Sequence, residues 1–439
     1  MATTTDTLFP HPASSRLWRK GLSAFELLIV GFILVFFYGT SFLSLILGIE
    51  DMADPANTAT IRRFYIILYI FILAISVLNF RQNITTALAS LSLLLLHAFL
   101  MASYLWSVEP AATFRASVSL IMTATLALHL FSRYGTQSGA MILYVILSSL
   151  VFLSIILAFA APDLAIHSDA HAGNWRGIFV HKNVAGNVTV WLVALALYLA
   201  SIKKLTPGVA VLSLIMAFGF IFMTGSKTSI VVAAIALATF VWAVILRNSI
   251  RLAAIIGIII FLTGGLMALT LLFAPEVVTS VLGRDATFTG RSFIWDELIV
   301  LFERTPLLGY GYSALWSTTY GPLHRFIEYW QIAAGHNSYL DILVDTGLVG
   351  LSLYIAIMLN TLRKAWILTR FGDWPVGALG LTMIAIITAL SFFESIIPSG
   401  HKIHWFLLVF IMISVDSAYR NLRKAKAENE AYIPQTMPK

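Results

Sequence analysis

Apolar residues in this chain come in long continuous runs, not in the short alternations of a soluble fold. A hydrocarbon core of about 30 Å needs about 20 apolar residues in helix. Twelve runs approach that length: 24–48, 62–80, 84–103, 114–131, 139–161, 183–201, 206–224, 228–246, 252–273, 337–360, 376–397 and 403–419. The pattern predicts an all-α polytopic membrane protein with about 12 transmembrane helices and one long, partly helical periplasmic loop. The first run is too long for a signal peptide and lacks a small-residue cleavage site before the acidic loop that follows. The pair 206–224 and 228–246 also reads as re-entrant, so ten to twelve crossings are compatible with the pattern. The expected organisation is an N-terminal segment 1–23, helices one to nine over 24–273, a loop over 274–335, helices ten to twelve within 336–419, and a tail over 420–439.

Composition agrees with that class. Of 439 residues, 59% are apolar and 11% charged, against about 25% charged in a soluble domain. Disorder, collagen and coiled coil are excluded by the same figures. The absence of cysteine excludes disulfides, thiolate zinc sites, iron–sulfur ligation and cysteine nucleophiles. The net charge of +7 reads as an excess of basic loop residues on the inner side of a membrane, not as nucleic-acid binding. With twelve crossings both termini share a side, and that side collects 17 of the 28 Lys and Arg residues. The termini are therefore expected in the cytoplasm. Seven of the ten histidines fall on the other side: His167, His171, His181, His324, His336, His401 and His404. No internal repeat is visible.

Polar chemistry gathers on that outer side. The interval from Ala274 to Gly335 is the longest hydrophilic stretch, yet it is rich in aromatic residues. Within it, Phe293, Ile294, Leu298, Leu301 and Phe302 recur near helical spacing, which predicts an amphipathic helix over Arg291–Arg304 stopped by Pro306. Four shorter patches lie at run ends: Trp106 to Arg115, His167 to Asn183, Thr224 to Ser229, and Glu394 to His404.

Each patch carries a chemical reading beside a plain one. Arg284 and Arg291 flank a Thr- and Gly-containing turn; guanidinium forks match phosphate oxygens, but lipid headgroup binding or a salt bridge to Asp285 is the alternative. Lys227 stands at a helix start, where a cation works against the dipole unless it shares an anion. It reads either as a phosphate ligand or as a snorkelling lysine. His336 precedes Asn337, a helix-capping residue type. The dipole there favours neutral imidazole, the proton-accepting form, with Asp341 one turn below to orient it. The alternative is a histidine that only hydrogen-bonds the helix start. His181, Lys182 and Asn183 suit phosphate or sugar hydroxyls, and Arg176 lies in the same patch. Asn187 sits inside a run and needs a partner. His97 and His129 read as satisfied bundle histidines. The aromatic run Tyr310, Tyr312, Trp316, Tyr329 and Trp330 suits sugar-ring stacking or packing onto the bundle equally. No nucleophile elbow, Walker loop, His-Glu-x-x-His or metal-ligand spacing occurs, and no nucleic-acid motif.

Three segments carry a family resemblance: Gly177-Ile-Phe-Val-His-Lys-Asn183; Gly290-Arg-Ser-Phe-Ile-Trp295 leading to Pro306-Leu-Leu-Gly-Tyr-Gly311; and His336-Asn-Ser-Tyr-Leu340 with Asp345-Thr-Gly-Leu-Val-Gly350. Over roughly residues 100–400 the chain resembles the bacterial O-antigen ligase/polymerase superfamily of the Wzy/WaaL type. The segments His181-Lys-Asn and Gly283 to Arg291 look most like ExoQ-type exopolysaccharide polymerases.

The resemblance implies a metal-independent, GT-C-like periplasmic glycosyltransferase without a cofactor. It uses a polyprenyl-diphosphate-linked oligosaccharide as donor and works in contact with membrane lipid, with a chain-length regulator protein as a partner. By the same resemblance Lys227 and Arg291 hold the diphosphate, and His336 activates the acceptor or contacts the diphosphate. Lysine at 227 departs from the arginine common there, which replaces a bidentate fork by a point charge. With the basic residues of the patches added, the expected diphosphate set is Arg291, Arg284, Lys227, Arg176 and Lys182, with His336 and Arg291 as catalytic residues. The expected activity is polymerisation of repeat units into an exopolysaccharide or O-antigen-like chain. Two alternatives remain open: a ligase delivering glycan to a lipid A core or protein, and a polysaccharide-lipid transporter or flippase.

Overall fold

The computed structural model describes residues 14–39, 41–43, 55–168, 171–259, 262, 291–317, 323 and 334–431. Among these the regular structure is helical, and the β contribution is one isolated bridge between Ile166 and Trp175. The principal helices are α1 (Ser14–Phe37), α2 (Pro55–Leu78), α3 (Phe80–Leu88), α4 (Leu91–Ala102), α5 (Pro110–Ala160), α6 (Lys182–Ser201), α7 (Pro207–Met223), α8 (Lys227–Asn248), α9 (Ile250–Ile259), α10 (Arg291–Arg304), α11 (Ser338–Phe371), α12 (Trp374–Ser391) and α13 (Ile403–Ala431). The amphipathic helix expected over Arg291–Arg304 is α10, with the expected boundaries.

The chain is a multi-pass membrane protein. Seven helices among the described residues are long and apolar enough to cross a bilayer, or eight if the sharply bent pair α3 and α4 forms one crossing. Twelve crossings are not reached. The apolar helix Ala24–Phe37, α7 and α9 are short of the required length, and α5 carries two of the sequence runs as two helical arms joined at a break.

That element reverses at Gly135, where φ is 67° and ψ −176°. Ser119, in its first half, contacts His401, and Ser154, in its second half, meets the backbone of Ile178. Val180 and His401 line one cavity, so both outer ends of α5 lie at the same end of the bundle. Gly135 lies at the other end, beside Gly372 and Asn421. A left-handed φ of this kind is sterically open to glycine and expensive for other residues.

Helices α6, α12 and α13 form the centre. Trp191, Trp405, Phe406 and Phe410 are fully buried there. By contrast α2 leaves Ile66, Ile70, Phe71 and Val77 exposed, as a lipid-facing helix must. Among the described residues several charges inside the spans are paired, because an isolated one is costly in hydrocarbon. Glu26 on α1 receives His129 Nε2 at 2.8 Å and Arg133 Nε at 3.3 Å. Lys364 meets Asp416 at 2.6 Å. His129 is thus a bundle histidine held through Nε2, as its position in an apolar run suggested, while its buried Nδ1 has no hydrogen-bond partner. Basic residues cluster at the Gly135 end: Arg370 Nη1 donates to the Arg247 carbonyl at 2.6 Å, and the Arg247 guanidinium lies 4.5 Å from the Trp374 ring centroid.

A second break positions the site. Helix α11 leaves helical geometry at Gly347, with φ 66° and ψ −168°. Four backbone groups there lose intrahelical partners, which hydrocarbon does not replace. The segment Pro306 to Gly311 supplies them. Leu348 N donates to the Pro306 carbonyl at 2.8 Å and Val349 N to that of Leu307 at 3.2 Å. In return Tyr310 N donates to Val344 O at 3.1 Å and Gly311 N to Asp345 O at 2.8 Å. Asp345 Oδ2 also accepts from Ser313 N at 2.8 Å. Two of the sequence segments that carry the family resemblance therefore meet as one hydrogen-bonded unit. Helix α10 packs against the same unit through Ile294, Leu298 and Leu301, with Leu315 and Val344.

A Cβ at position 347 would overlap the Leu307 carbonyl and sit on a left-handed backbone. Gly347→Ala is expected to lower stability by at least about 2 kcal/mol, read as a lower melting temperature of purified protein in detergent. An unchanged melting temperature would show that the break is not held as described.

Candidate active site

Helix α11 begins at one mouth of the bundle, and its first residues organise the surroundings. Asn337 is the N-cap: its Oδ1 accepts from Tyr339 N at 3.0 Å and Leu340 N at 3.2 Å. Ser338 is fully buried. Its hydroxyl donates to the Glu394 carbonyl at 2.8 Å and accepts from Ile396 N at 3.0 Å and Ile397 N at 3.3 Å. Asp341 accepts from Gly335 N at 3.1 Å and from the Ser395 hydroxyl. These bonds tie the segment after α12 across the start of α11. Asp341 thus holds backbone and serine, and the carboxylate facing His336 is Glu394.

Glu394 is the centre of the site. Arg291 Nη2 lies 3.9 Å from its Oε1, and His336 Nδ1 lies 3.5 Å from its Oε2. Arg291 Nη1 also donates to the Phe393 carbonyl at 2.5 Å. Side-chain exposure rises from 16% at Glu394 to 19% at Arg291 and 41% at His336, so the histidine is the member most open to a ligand. His336 itself has φ 52°, a left-handed conformation that costs a non-glycine residue about 1–2 kcal/mol. The capped helix on one side and Gly335 held by Asp341 on the other maintain it. The structure brings His336 and Arg291 together although 45 residues separate them. Glu394 lies 58 residues further on, and its contribution was legible only as a polar patch at a run end.

Beneath this rim lies a cavity of about 400 Å³ lined by residues of α1, α2, α6, the 394–402 segment and α13. Glu394, Lys402, Asn183, Asn187, His401 and His404 supply polar lining. Asn187 has the partner it needed: Ser229 Oγ donates to its Oδ1 at 2.8 Å. Trp191 Nε1 donates to His404 Nδ1 at 3.0 Å. The His401 ring stacks on Tyr65 with centroids 3.7 Å apart and bonds the Tyr69 hydroxyl.

Of the other expected ligands, Lys182 stands between the lining residues Val180 and Asn183, whereas Arg176 and Lys227 are not part of the lining. His181 is the N-cap of α6, its Nδ1 accepting from Asn183 N at 3.2 Å. Lys182 N donates to His167 Nε2 at 3.3 Å. The rings of His167, His171 and His181 pack edge to face with centroids 5.1–5.7 Å apart. Burial, and then the neighbouring His167, His171 and Lys182, push the His181 pKa below its ordinary value, opposed by Glu394. Among the described residues no group of three His, Asp or Glu is placed to hold a metal ion. Lys227 is the exposed first residue of α8, after the N-cap Ser226. It neighbours the Arg176 strip, since Trp175 N donates to Met223 O at 2.9 Å.

Of the aromatic run, Tyr312 is buried and its hydroxyl donates to the Pro398 carbonyl at 3.1 Å. The Tyr310 hydroxyl donates to Leu301 O at 3.1 Å, and Trp316 packs with Tyr310 on the α10 cluster. These three build the loop onto the bundle. Arg284, Tyr329 and Trp330 lie outside the described residues, as does His324.

Residues 212–355 match the family model described as O-Antigen ligase. The chain is 27% identical over 278 residues to the exopolysaccharide production protein ExoQ of Rhizobium meliloti, covering 58% of this chain and 60% of that protein. It is 28% identical over 265 residues to an O-antigen ligase of Pseudomonas aeruginosa, covering 59% of this chain and 60% of the relative. The chain thus spans about 60% of the length of the curated relatives it matches. The resemblance read from the sequence is borne out as distant homology. The matched interval contains Lys227, Arg291, His336 and both sides of the Gly347 break, whereas His181 and Glu394 to His404 lie outside it.

Burial pushes the His401 pKa down from 6.5 to about 3. The unfolded chain therefore binds a proton on this residue at a pH where the folded protein does not, and stability falls as pH drops from 6.5 toward 3. His181 contributes with the same sign. The melting temperature is expected to fall between about pH 7 and about pH 5, and His401→Gln to flatten that slope. An equal slope in the variant would show that His401 is solvated.

Proposed function

We propose that this protein is an inner-membrane glycosyltransferase that polymerises polyprenyl-diphosphate-linked oligosaccharide repeats on the outer face of the membrane. The observation that carries the proposal is the meeting of Arg291 and His336 on Glu394 at the rim of the cavity. A cation, a proton acceptor and an orienting carboxylate are what transfer from a diphosphate leaving group requires. The homology to ExoQ and to O-antigen ligase supports the same reaction class.

In the proposed step, the acceptor hydroxyl oxygen forms a bond to the anomeric carbon of the donor. The bond from that carbon to the diphosphate oxygen breaks, and the diphosphate leaves with the electron pair. Glu394 beside Nδ1 favours the proton on that nitrogen, which leaves the lone pair on Nε2 to take the acceptor proton. Arg291 places fixed positive charge where negative charge develops, and in a site with little water this favours the transition state over the bound donor. Lys182, Arg176 and Lys227 add positive charge along the start of α6 and α8, and Arg284 is assigned to the same diphosphate. The step needs no metal and no nucleotide, since the energy is stored in the donor.

The proposed topology has twelve crossings with both termini in the cytoplasm. It counts the two arms of α5 separately and adds the shorter helices to the long ones. The basic cluster at the Gly135 end then faces the cytoplasm, as the charge rule requires. A second reading, transfer of a finished glycan to a lipid A core or protein, is favoured by the O-antigen ligase match over residues 212–355. The two readings share donor and site and differ in acceptor. A transporter is disfavoured, since Glu26, His129, Arg133, Lys364 and Asp416 are closed into pairs and do not line a path.

Purified protein is expected to lengthen a lipid-linked repeat without added metal or nucleotide. Transfer only to a lipid A core would favour the ligase reading, and no transfer to either acceptor would overturn both. Arg291→Ala is expected to cost about one to two decades in rate at equal protein level.

His336→Ala and His336→Gln are both expected to abolish most transfer, because glutamine cannot take the proton. Near-normal activity in the glutamine variant would reduce His336 to a positioning role. Glu394→Gln is expected to lower the rate about tenfold or more, by releasing both partners.

A further inference from the structure

Helices α5 and α11 leave helical geometry in nearly the same way. At Gly347 φ is 66° and ψ −168°, and at Gly135 they are 67° and −176°. The two breaks differ in what stands beside them. At Gly347 the strip Pro306 to Gly311 fills the gap, so closely that an added Cβ would overlap the Leu307 carbonyl. At Gly135 an added Cβ would meet nothing within 4 Å. Among the described residues no other segment bonds to the backbone across this break. A residue outside the helical region interrupts the ladder, so the first N–H groups of the second arm have no intrahelical partner. Thr136, directly after the break, is the counterpart of Leu348, whose N–H donates to the Pro306 carbonyl.

The open break forms one side of a cavity of about 410 Å³ at the end of the bundle away from His336. Thr136 and Gln137 line it from α5, Tyr198 from α6, Asp373 ahead of α12 and Ser414 from α13. Tyr198 and Ser414 are buried, and their hydroxyls have no hydrogen-bond partner. Such groups are costly in a protein interior, and an occupant that both gives and takes hydrogen bonds relieves that cost. Asp373 is the one charged residue of the lining. It caps α12 by accepting from Val376 N at 3.4 Å, and it is exposed. No cation pairs with it among the described residues.

An extended polypeptide carries what these groups require. At Gly347 the carbonyls of Pro306 and Leu307 take two freed N–H groups, and Tyr310 N and Gly311 N return two bonds. A lysine or arginine on such a segment matches Asp373. A bare ammonium meets the carboxylate but offers no acceptor to the Thr136 N–H. A phosphate meets the N–H but is repelled by Asp373.

We propose that the break at Gly135 is a docking site for an extended, lysine- or arginine-bearing segment of a partner protein, which closes this break as Pro306 to Gly311 closes the one at Gly347. In the topology proposed above the site faces the cytoplasm, so the partner segment is cytoplasmic. The site is remote from His336 and independent of the transfer chemistry.

The probe is the capped peptide acetyl-Pro-Leu-Lys-Gly-Tyr-Gly-amide, which has the sequence of the strip with lysine for its second leucine. Its equilibrium binding to the full-length protein in phosphatidylcholine nanodiscs is compared with that of the glutamate counterpart and of propylammonium. The lysine peptide is expected to bind about tenfold more tightly than either. Asp373→Asn keeps a capping side chain and is expected to abolish the difference between the two peptides. Thr136→Pro removes one N–H at a first helical position, where proline is tolerated. It is expected to weaken the lysine peptide about fivefold or more, with the melting temperature unchanged. Tyr198→Phe removes an unpaired hydroxyl and is expected to act likewise.

Wild-type affinity for the lysine peptide in both Thr136→Pro and Tyr198→Phe would overturn the docking site, and so would failure of the wild-type protein to bind that peptide. Equal affinity of the wild-type protein for both peptides would overturn the basic character of the partner. Propylammonium binding as tightly as the peptide would reduce the cavity to an amine site and overturn the peptide assignment. Displacement of the peptide by phosphatidylethanolamine in the disc would reassign the cavity to a lipid headgroup.

Discussion

A helix broken inside a membrane protein must have its freed backbone groups satisfied by protein, because hydrocarbon offers neither donors nor acceptors. The break at Gly347 is this constraint in its most consequential place. The strip Pro306 to Gly311 closes it with four backbone bonds. Because that strip is the continuation of α10, closing the break also fixes where α10 lies. Arg291 opens α10 and His336 precedes α11. A backbone requirement at residue 347 thus sets the relative position of two side chains at the mouth of the bundle.

The 394–402 segment completes the arrangement by a similar device. The buried Ser338 hydroxyl makes three bonds to its backbone, and Asp341 takes the Ser395 hydroxyl. With its backbone held on both sides, Glu394 has a fixed origin from which to meet Arg291 and His336 at once. Some charges in the spans are pairs that join helices, such as Glu26 with His129 and Arg133. At the mouth the pairing is looser, with separations of 3.5 and 3.9 Å and an increasingly exposed histidine. Closed pairs in the spans and an open trio at the mouth distinguish charges that hold the bundle from charges available to a ligand.

The aromatic residues of the loop illustrate how one composition supports two outcomes. Tyr310, Tyr312 and Trp316 occur at a density that suits sugar stacking, and the same rings are suited to packing. In the folded chain the hydroxyls of Tyr310 and Tyr312 are committed to the carbonyls of Leu301 and Pro398. The polar groups that do line a cavity come instead from the 394–402 segment and from helix beginnings, among them Asn183 and Asn187 on α6 and His404 on α13. Each of these lies within two turns of a span end, where a short sequence window records only one polar residue in an apolar run.

The sequence by itself determined what depends on local pattern. Apolar runs of span length dictated a helical membrane protein, since only a helix satisfies its own backbone in lipid. Helical spacing followed by Pro306 placed α10, and Asn337 before an apolar run placed the start of α11. The histidine and arginine of the site were legible as residue types at such boundaries. Tertiary structure decided what depends on which boundaries meet. Only folding showed that α5 reverses at Gly135, that Pro306 to Gly311 fills the break at Gly347, and that Glu394 stands between Arg291 and His336. Only folding placed His404 Nδ1 as the acceptor of an indole 213 residues away in sequence. Periodicity reports the environment one helix turn away, whereas hydrogen-bond direction and charge pairing are set by neighbours that the chain brings in from a distance.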